Sequence, residues 1–304
     1  MEELDLVAGR KVFSRAGMAV LIVIIISVAL AYVTGFFLNP KLMENEWIQY
    51  LLLLMPQYVI AMPLAALLLR KKPAMPIAQK RLTAGQLCII GIICYTIMYA
   101  GNLVGTIINL IIQTAAQSNM TDAVEQFFIE KSIWSNLMFA VILGPVAEEL
   151  FFRKLLISRL LSYGEKPAVI VSALLFGLLH GNLSQFFYAF GLGLAFGYLF
   201  VKTGKVVYTI AFHMIINLFG GVISVLVYNS HFILRGFYGL ILLGIVITGI
   251  VLFFVNKKRI VMSPGLYGIP KGKSAVYVNA GMILCFIVCA VYFTANTYQM
   301  FLIG

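Results

Sequence analysis

Glu148, Glu149 and Arg153 interrupt an apolar run that begins near Ser132, in the stretch Gly144-Pro-Val-Ala-Glu-Glu-Leu-Phe-Phe-Arg153. Ionisable groups at membrane depth are expensive and face a protein interior or a wet cavity. On a helix, Glu149 and Arg153 are four apart, acid before base, on one face. Glu148 points about 100° away from Glu149, so it needs a partner from elsewhere. Two of the chain's three histidines fall in later apolar runs: His180 closes Phe176-Gly-Leu-Leu-His180, and His213 opens His213-Met-Ile-Ile-Asn217. A carboxylate and an imidazole sharing a water make a general base and relay for hydrolysis. His213 and Asn217, on one helical face, offer two donors to a developing oxyanion. Together these groups suffice to hydrolyse an amide without a covalent intermediate. Zinc competes for Glu148, His180 and His213, all legitimate ligands, although no H-E-x-x-H helix is present and no cysteine lies near them.

The elements that must position these groups are membrane spans. The chain has 304 residues, 62% hydrophobic and 11% charged, with a mean hydropathy of +1.00. A soluble domain carries roughly 25% charged residues. The expected fold is all-α: a single polytopic transmembrane bundle whose motif helices surround an intramembrane polar cavity. Nine apolar segments can be marked, at 16–38, 47–69, 84–113, 132–161, 167–181, 184–202, 206–228, 236–255 and 275–297. The fifth is short for a span of about 20 residues, so eight full spans are the alternative. At 1.5 Å per residue, Glu148 lies about 16 Å from Arg159, His213 about 12 Å from Lys205 and His180 about 21 Å from Lys166. All can meet within a core about 30 Å thick.

Basic residues orient the bundle. If all nine segments cross, all but three of the 22 Lys and Arg residues fall on one side, the exceptions being Lys41, Lys131 and Arg235. The positive-inside rule makes that side cytoplasmic, with the N-terminus inside and the C-terminus outside. The net charge of +11 is therefore a topology signal, and the scattered short basic loops exclude a nucleic-acid-binding face. Glu2, Glu3 and Asp5 precede a long first run, which reads as a retained span and not a cleaved signal peptide.

Smaller features have structural readings. Cys88, Cys94, Cys285 and Cys289 lie inside apolar runs and read as packed thiols. Gly144-Pro145 predicts a kink that opens room near Glu148. Gly191, Gly193, Ala195 and Gly197 predict close helix packing. Residues 121–130 predict a short interfacial helix, and the loop 256–273, with Pro264, Gly265, Gly268, Pro270 and Gly272, an irregular one. His231 has no case for function.

Three motifs now stand in order: Glu148-Glu149-x-x-x-Arg153, Phe176-x-x-x-His180 and His213-x-x-x-Asn217. Their order and spacing resemble the CPBP family, the CAAX proteases and bacteriocin-processing enzymes, which includes the eukaryotic Ras-converting endopeptidase. The resemblance covers about 145–217. It implies an intramembrane glutamate protease without metal or other cofactor. In it Glu148 and His180 activate water, His213 and Asn217 form the oxyanion site, and Glu149 and Arg153 hold the motif helix. It divides the chain into a catalytic core, 132–228, with accessory spans at 1–131 and 229–304. It further implies a bacterial cytoplasmic membrane, and a peptide or membrane-associated protein substrate reached from the cytoplasmic side, as in bacteriocin or pheromone processing or immunity. A CAAX prenyl protease removing a C-terminal tripeptide, a non-catalytic immunity or scaffold protein, and a proton-coupled transporter are the alternatives.

Overall fold

The structure, a computed structural model, describes residues 2–37, 39–267 and 274–303. Lys271 and Lys273, counted above with the basic side, and Gly268, Pro270 and Gly272 of the same loop lie outside the described residues. An apolar chain satisfies its backbone away from water by forming helix. The protein is 85% helical, with no strand among the described residues. Its frame consists of α1 (Glu2–Phe37), α2 (Glu46–Leu69), α3 (Ala84–Ala116), α4 (Ala123–Glu130), α5 (Ile133–Tyr163), α6 (Glu165–Leu179), α7 (Leu183–Thr203), α8 (Val206–Tyr228), α9 (Phe232–Asn256) and α10 (Ala280–Ile303). All except α4 and α6 are long and apolar enough to cross a membrane.

The expected short fifth span is α6, whose 15 residues reach about 22 Å. It turns at Gly181-Asn182 and runs antiparallel to α7. Glu165 in its first turn pairs with Lys202 in the last turn of α7, and Asn182 caps the start of α7 by accepting from the Gln185 amide at 2.8 Å. A Cβ on Gly193 would sit 2.8 Å from Ala173 Cα, so the two backbones meet where a larger residue is excluded. α7 also packs on α3, and α1 on α10 and α2. α9 lies outermost against α3 and turns Leu240 and Val255 outward. Cys94, Cys285 and Cys289 are buried as expected, whereas Cys88 is exposed.

The loops gather into two faces. On one, Met75 N donates to Ser158 O (2.7 Å), Lys80 N to Thr203 O (2.9 Å), Glu165 N to Ser263 O (3.1 Å) and Tyr267 N to Ser162 O (3.1 Å). These bonds knit the basic linkers together. On the other face, Thr121 N donates to Met300 O (3.0 Å), Asn136 Nδ2 to Phe128 O (2.8 Å) and Ser132 N to the Glu46 carboxylate (2.6 Å). The expected helix at 121–130 is α4, on this second face.

Proline interrupts two spans. Pro56 in α2 lies between π-helical turns at Tyr50–Leu54 and Gln57–Ala61. Pro145 in α5 follows one at Leu137–Leu143, and another, Leu150–Ile157, follows Glu149. Proline lacks an N–H and its ring clashes with the preceding turn. Widening that turn by one residue relieves the clash. At Gly144-Pro145, where the sequence predicts a kink, the helix carries this widened turn.

Candidate active site

The widened turns of α5 place Gly144 to Arg153 against α6, α7 and α8. Arg153 Nε lies 3.0 Å from Glu149 Oε2, and its Nη2 donates to Oε1 at 3.2 Å. Both side chains are fully buried. The guanidinium also donates to Ser172 Oγ of α6 at 3.4 Å and sits 4.7 Å from the centre of the Phe176 ring. The pair therefore ties α5 to α6.

Glu149 has a second partner that the sequence reading did not assign. His213 Nδ1 lies 3.1 Å from Glu149 Oε1, and its Nε2 lies 3.7 Å from Glu148 Oε2. The imidazole thus stands between the two carboxylates. The other oxygen of Glu148 accepts from the Tyr58 hydroxyl at 2.9 Å. Tyr58 was missed by sequence reasoning. Its available signal was a hydroxyl two residues past Pro56 in an apolar span, and nothing local says that α2 meets α5 there. Gly144 makes the room, since a Cβ on it would lie 3.1 Å from the Tyr58 oxygen.

His180 ends α6 with its Nδ1 2.9 Å from Phe176 O. A carbonyl accepts and cannot donate, so Nδ1 carries the proton and neutral His180 keeps its lone pair on Nε2. The Phe176 ring is edge-on to both imidazoles, 5.0 Å from His180 and 5.9 Å from His213. His180 also lines a cavity of about 280 Å³.

Asn217 is held by an unexpected bond: its Nδ2 donates to Ala140 O at 2.9 Å. The reason lies in Pro145. Gly144 N bonds back five residues to Phe139 O, so the next donor in that register, at position 145, would serve Ala140 O. Proline has none. The Asn217 amide supplies the missing donor and keeps its second N–H.

The structure therefore joins Glu148, Glu149, Arg153 and His213 directly, while His180 is linked to His213 through the Phe176 ring and Asn217 lies one turn beyond His213, bonded to Ala140 O. Among the described residues, no three His, Cys, Asp or Glu side chains converge as a metal-ligand set. The zinc grouping of Glu148, His180 and His213 is thus not assembled in this arrangement.

Residues 130–219 match the profile of Rce1-like proteins, described as type II CAAX prenyl endopeptidases. A Bacillus subtilis (strain 168) protein named "Putative membrane peptidase YdiL" is 24% identical over 126 residues, 40% of this chain and 50% of that protein. The alignment thus spans half the length of this curated relative. No solved structure matches the chain. The family match spans all three motifs and bears out the resemblance read from them.

Proposed function

We propose, taking residues 130–219 as a segment of the CPBP family, that this integral membrane protein is an endopeptidase of the glutamate type. The observation that carries this reading is the difference between two adjacent carboxylates. Glu149 is neutralised by Arg153, while Glu148 is held by Tyr58 and faces His213 across 3.7 Å. That separation is longer than a direct hydrogen bond, so both groups can turn toward one water or substrate oxygen placed beside them.

In the proposed reaction Glu148 takes a proton from water as the oxygen attacks the scissile carbonyl carbon. His180 Nε2 orients the same water and relays the proton. Negative charge grows on the carbonyl oxygen, opposite His213 Nε2 and the free N–H of Asn217. His213 Nδ1 faces Glu149, which fixes the ring and leaves Nε2 directed toward Glu148 and the reacting oxygen. The C–N bond breaks as the relayed proton reaches the leaving amine. Glu149 and Arg153 position His213 and the motif helix. No cofactor enters this scheme.

From the spread of the resembled family, the proposed setting is a bacterial cytoplasmic membrane, and the positive-inside rule puts the basic face and N-terminus in the cytoplasm and the C-terminus outside. Residues 132–228 would form the core, and the substrate would be a peptide or membrane-associated protein, as in the processing of secreted peptides. A prenylated C-terminal segment is the second reading, favoured by the description of the matched family. Release of a tripeptide from a farnesylated peptide would decide for it. The test of the mechanism is the purified chain in lipid nanodiscs with capped peptide mixtures. Glu148→Gln is expected to slow cleavage about 10²- to 10⁴-fold with an unchanged melting temperature, and a variant as active as wild type would overturn the assignment.

A further inference from the structure

The cavity at His180 lies on the face away from the basic loops. Its apolar wall comes from Leu53 and Leu54 of α2, Phe127 and Phe128 of α4 and Met300 of α10. Its polar groups are mainly neutral amides, Asn182, Asn296 and Gln299. α4 and the preceding connection are seated there by the Thr121–Met300 and Asn136–Phe128 bonds. The turn that carries His180 is fastened to α10. Gly181 has φ +68°, a Cβ on it would fall 2.0 Å from the Tyr292 ring, and Asn296 Nδ2 donates to Gly181 O at 2.9 Å. His180 is thereby held toward α10, at the end of α6 away from Glu165. Access from the cytoplasmic side, as the sequence reading expected, would reach the opposite end of these helices.

We propose that this cavity is the substrate channel, and that it admits an extended, uncharged, apolar peptide segment from the face opposite the basic loops. An extended backbone in an apolar surrounding has unmet donors and acceptors; the carboxamides of Gln299 and Asn296 can supply both, while that of Asn182 is committed to His180 O and Gln185. The leucine, phenylalanine and methionine wall takes apolar side chains. No Lys or Arg lines the cavity among the described residues, so an acidic segment gains no counter-charge there. At about 280 Å³, near the lower bound for ligand sites of about 300 Å³, the space suits a strand of peptide better than a helix. The word substrate rests on the peptidase reading, whereas the side of access does not.

The test is sided thiol labelling of the full chain carrying Cys88→Ser and Glu148→Gln, which leaves buried native thiols and prevents cutting. Leu54→Cys and, separately, Gln299→Cys report the cavity. Ser118→Cys marks its face and Lys80→Cys marks the basic face. A membrane-impermeant maleimide is applied to intact cells and to inverted vesicles. The cavity cysteines are expected to label with Ser118→Cys, and a capped peptide of alternating Leu and Asn should reduce labelling about tenfold at about ten times its Kd. The same peptide with two Asp residues should not protect. Labelling with Lys80→Cys, labelling in neither preparation, or no protection would overturn the proposal. Cleavage of the uncharged peptide by the Glu148-containing chain is read separately. Its absence, with labelling as expected, would sink the peptidase reading and leave the access route standing.

Discussion

Arg153 pairs with Glu149 and not with Glu148, and this is what separates the two carboxylates. Tyr58 fixes one oxygen of Glu148 and His213 stands off the other. If Glu148 is the base, Tyr58 is a positioning residue that aims it. Hydrogen bonds to charged groups contribute about 1.5–3 kcal/mol, so Tyr58→Phe is expected to lower kcat by about tenfold or more with KM unchanged. A raised KM at constant kcat would place Tyr58 in substrate binding instead. The Glu149–Arg153 pair is legible in the sequence because both partners lie on one helix, four residues apart. The contacts of Glu149 with His213 and of Glu148 with Tyr58 span 64 and 90 residues. They depend on which helices are neighbours, and spacing along the chain carries no such information.

At the scale of elements, one missing N–H links three helical positions. Pro145 removes the donor for Ala140 O, the widened turn leaves that carbonyl open toward α8, and Asn217 fills it. The sequence announces the kink at Gly144-Pro145 and puts Asn217 on the face of His213, but it does not couple them. That coupling follows from the five-residue register of the turn, which appears only once the helix is built. An unsatisfied buried carbonyl costs about 1–3 kcal/mol, so Asn217→Ala should destabilise by that amount in detergent unfolding. In a Pro145→Ala background the backbone N–H is restored, and the same change should cost less, with a coupling of about 1 kcal/mol or more. Effects additive to within about 0.5 kcal/mol would show that Asn217 does not serve Ala140. The short α6 was readable from its length alone. That its turn is clamped by Tyr292 and Asn296 of α10 was not, because those residues look like ordinary members of an apolar run.

Taken whole, the molecule has a basic face knitted by loop hydrogen bonds and an opposite face carrying α4 and the end of α10. The segregation was legible because short loops between regular spans leave few ways to place 22 cations. The division into a motif core with accessory flanks is less sharp in space than in sequence. Tyr58 and Asn296, both outside residues 130–219, touch Glu148 and the His180 turn. Truncation to 132–228 is therefore expected to yield no activity even if the fragment inserts, with cleavage of the same peptide mixtures by the full chain as reference.

The most direct test of the central claim compares wild type and Glu148→Gln, expressed at matched levels in the source cell, by mass spectrometry of the N-termini of membrane and secreted peptides. The account predicts termini that appear only with wild type and that flank an uncharged, apolar segment. Identical profiles from two folded proteins, with the cellular phenotype intact in both, would contradict it and favour a non-catalytic role for the buried polar cluster.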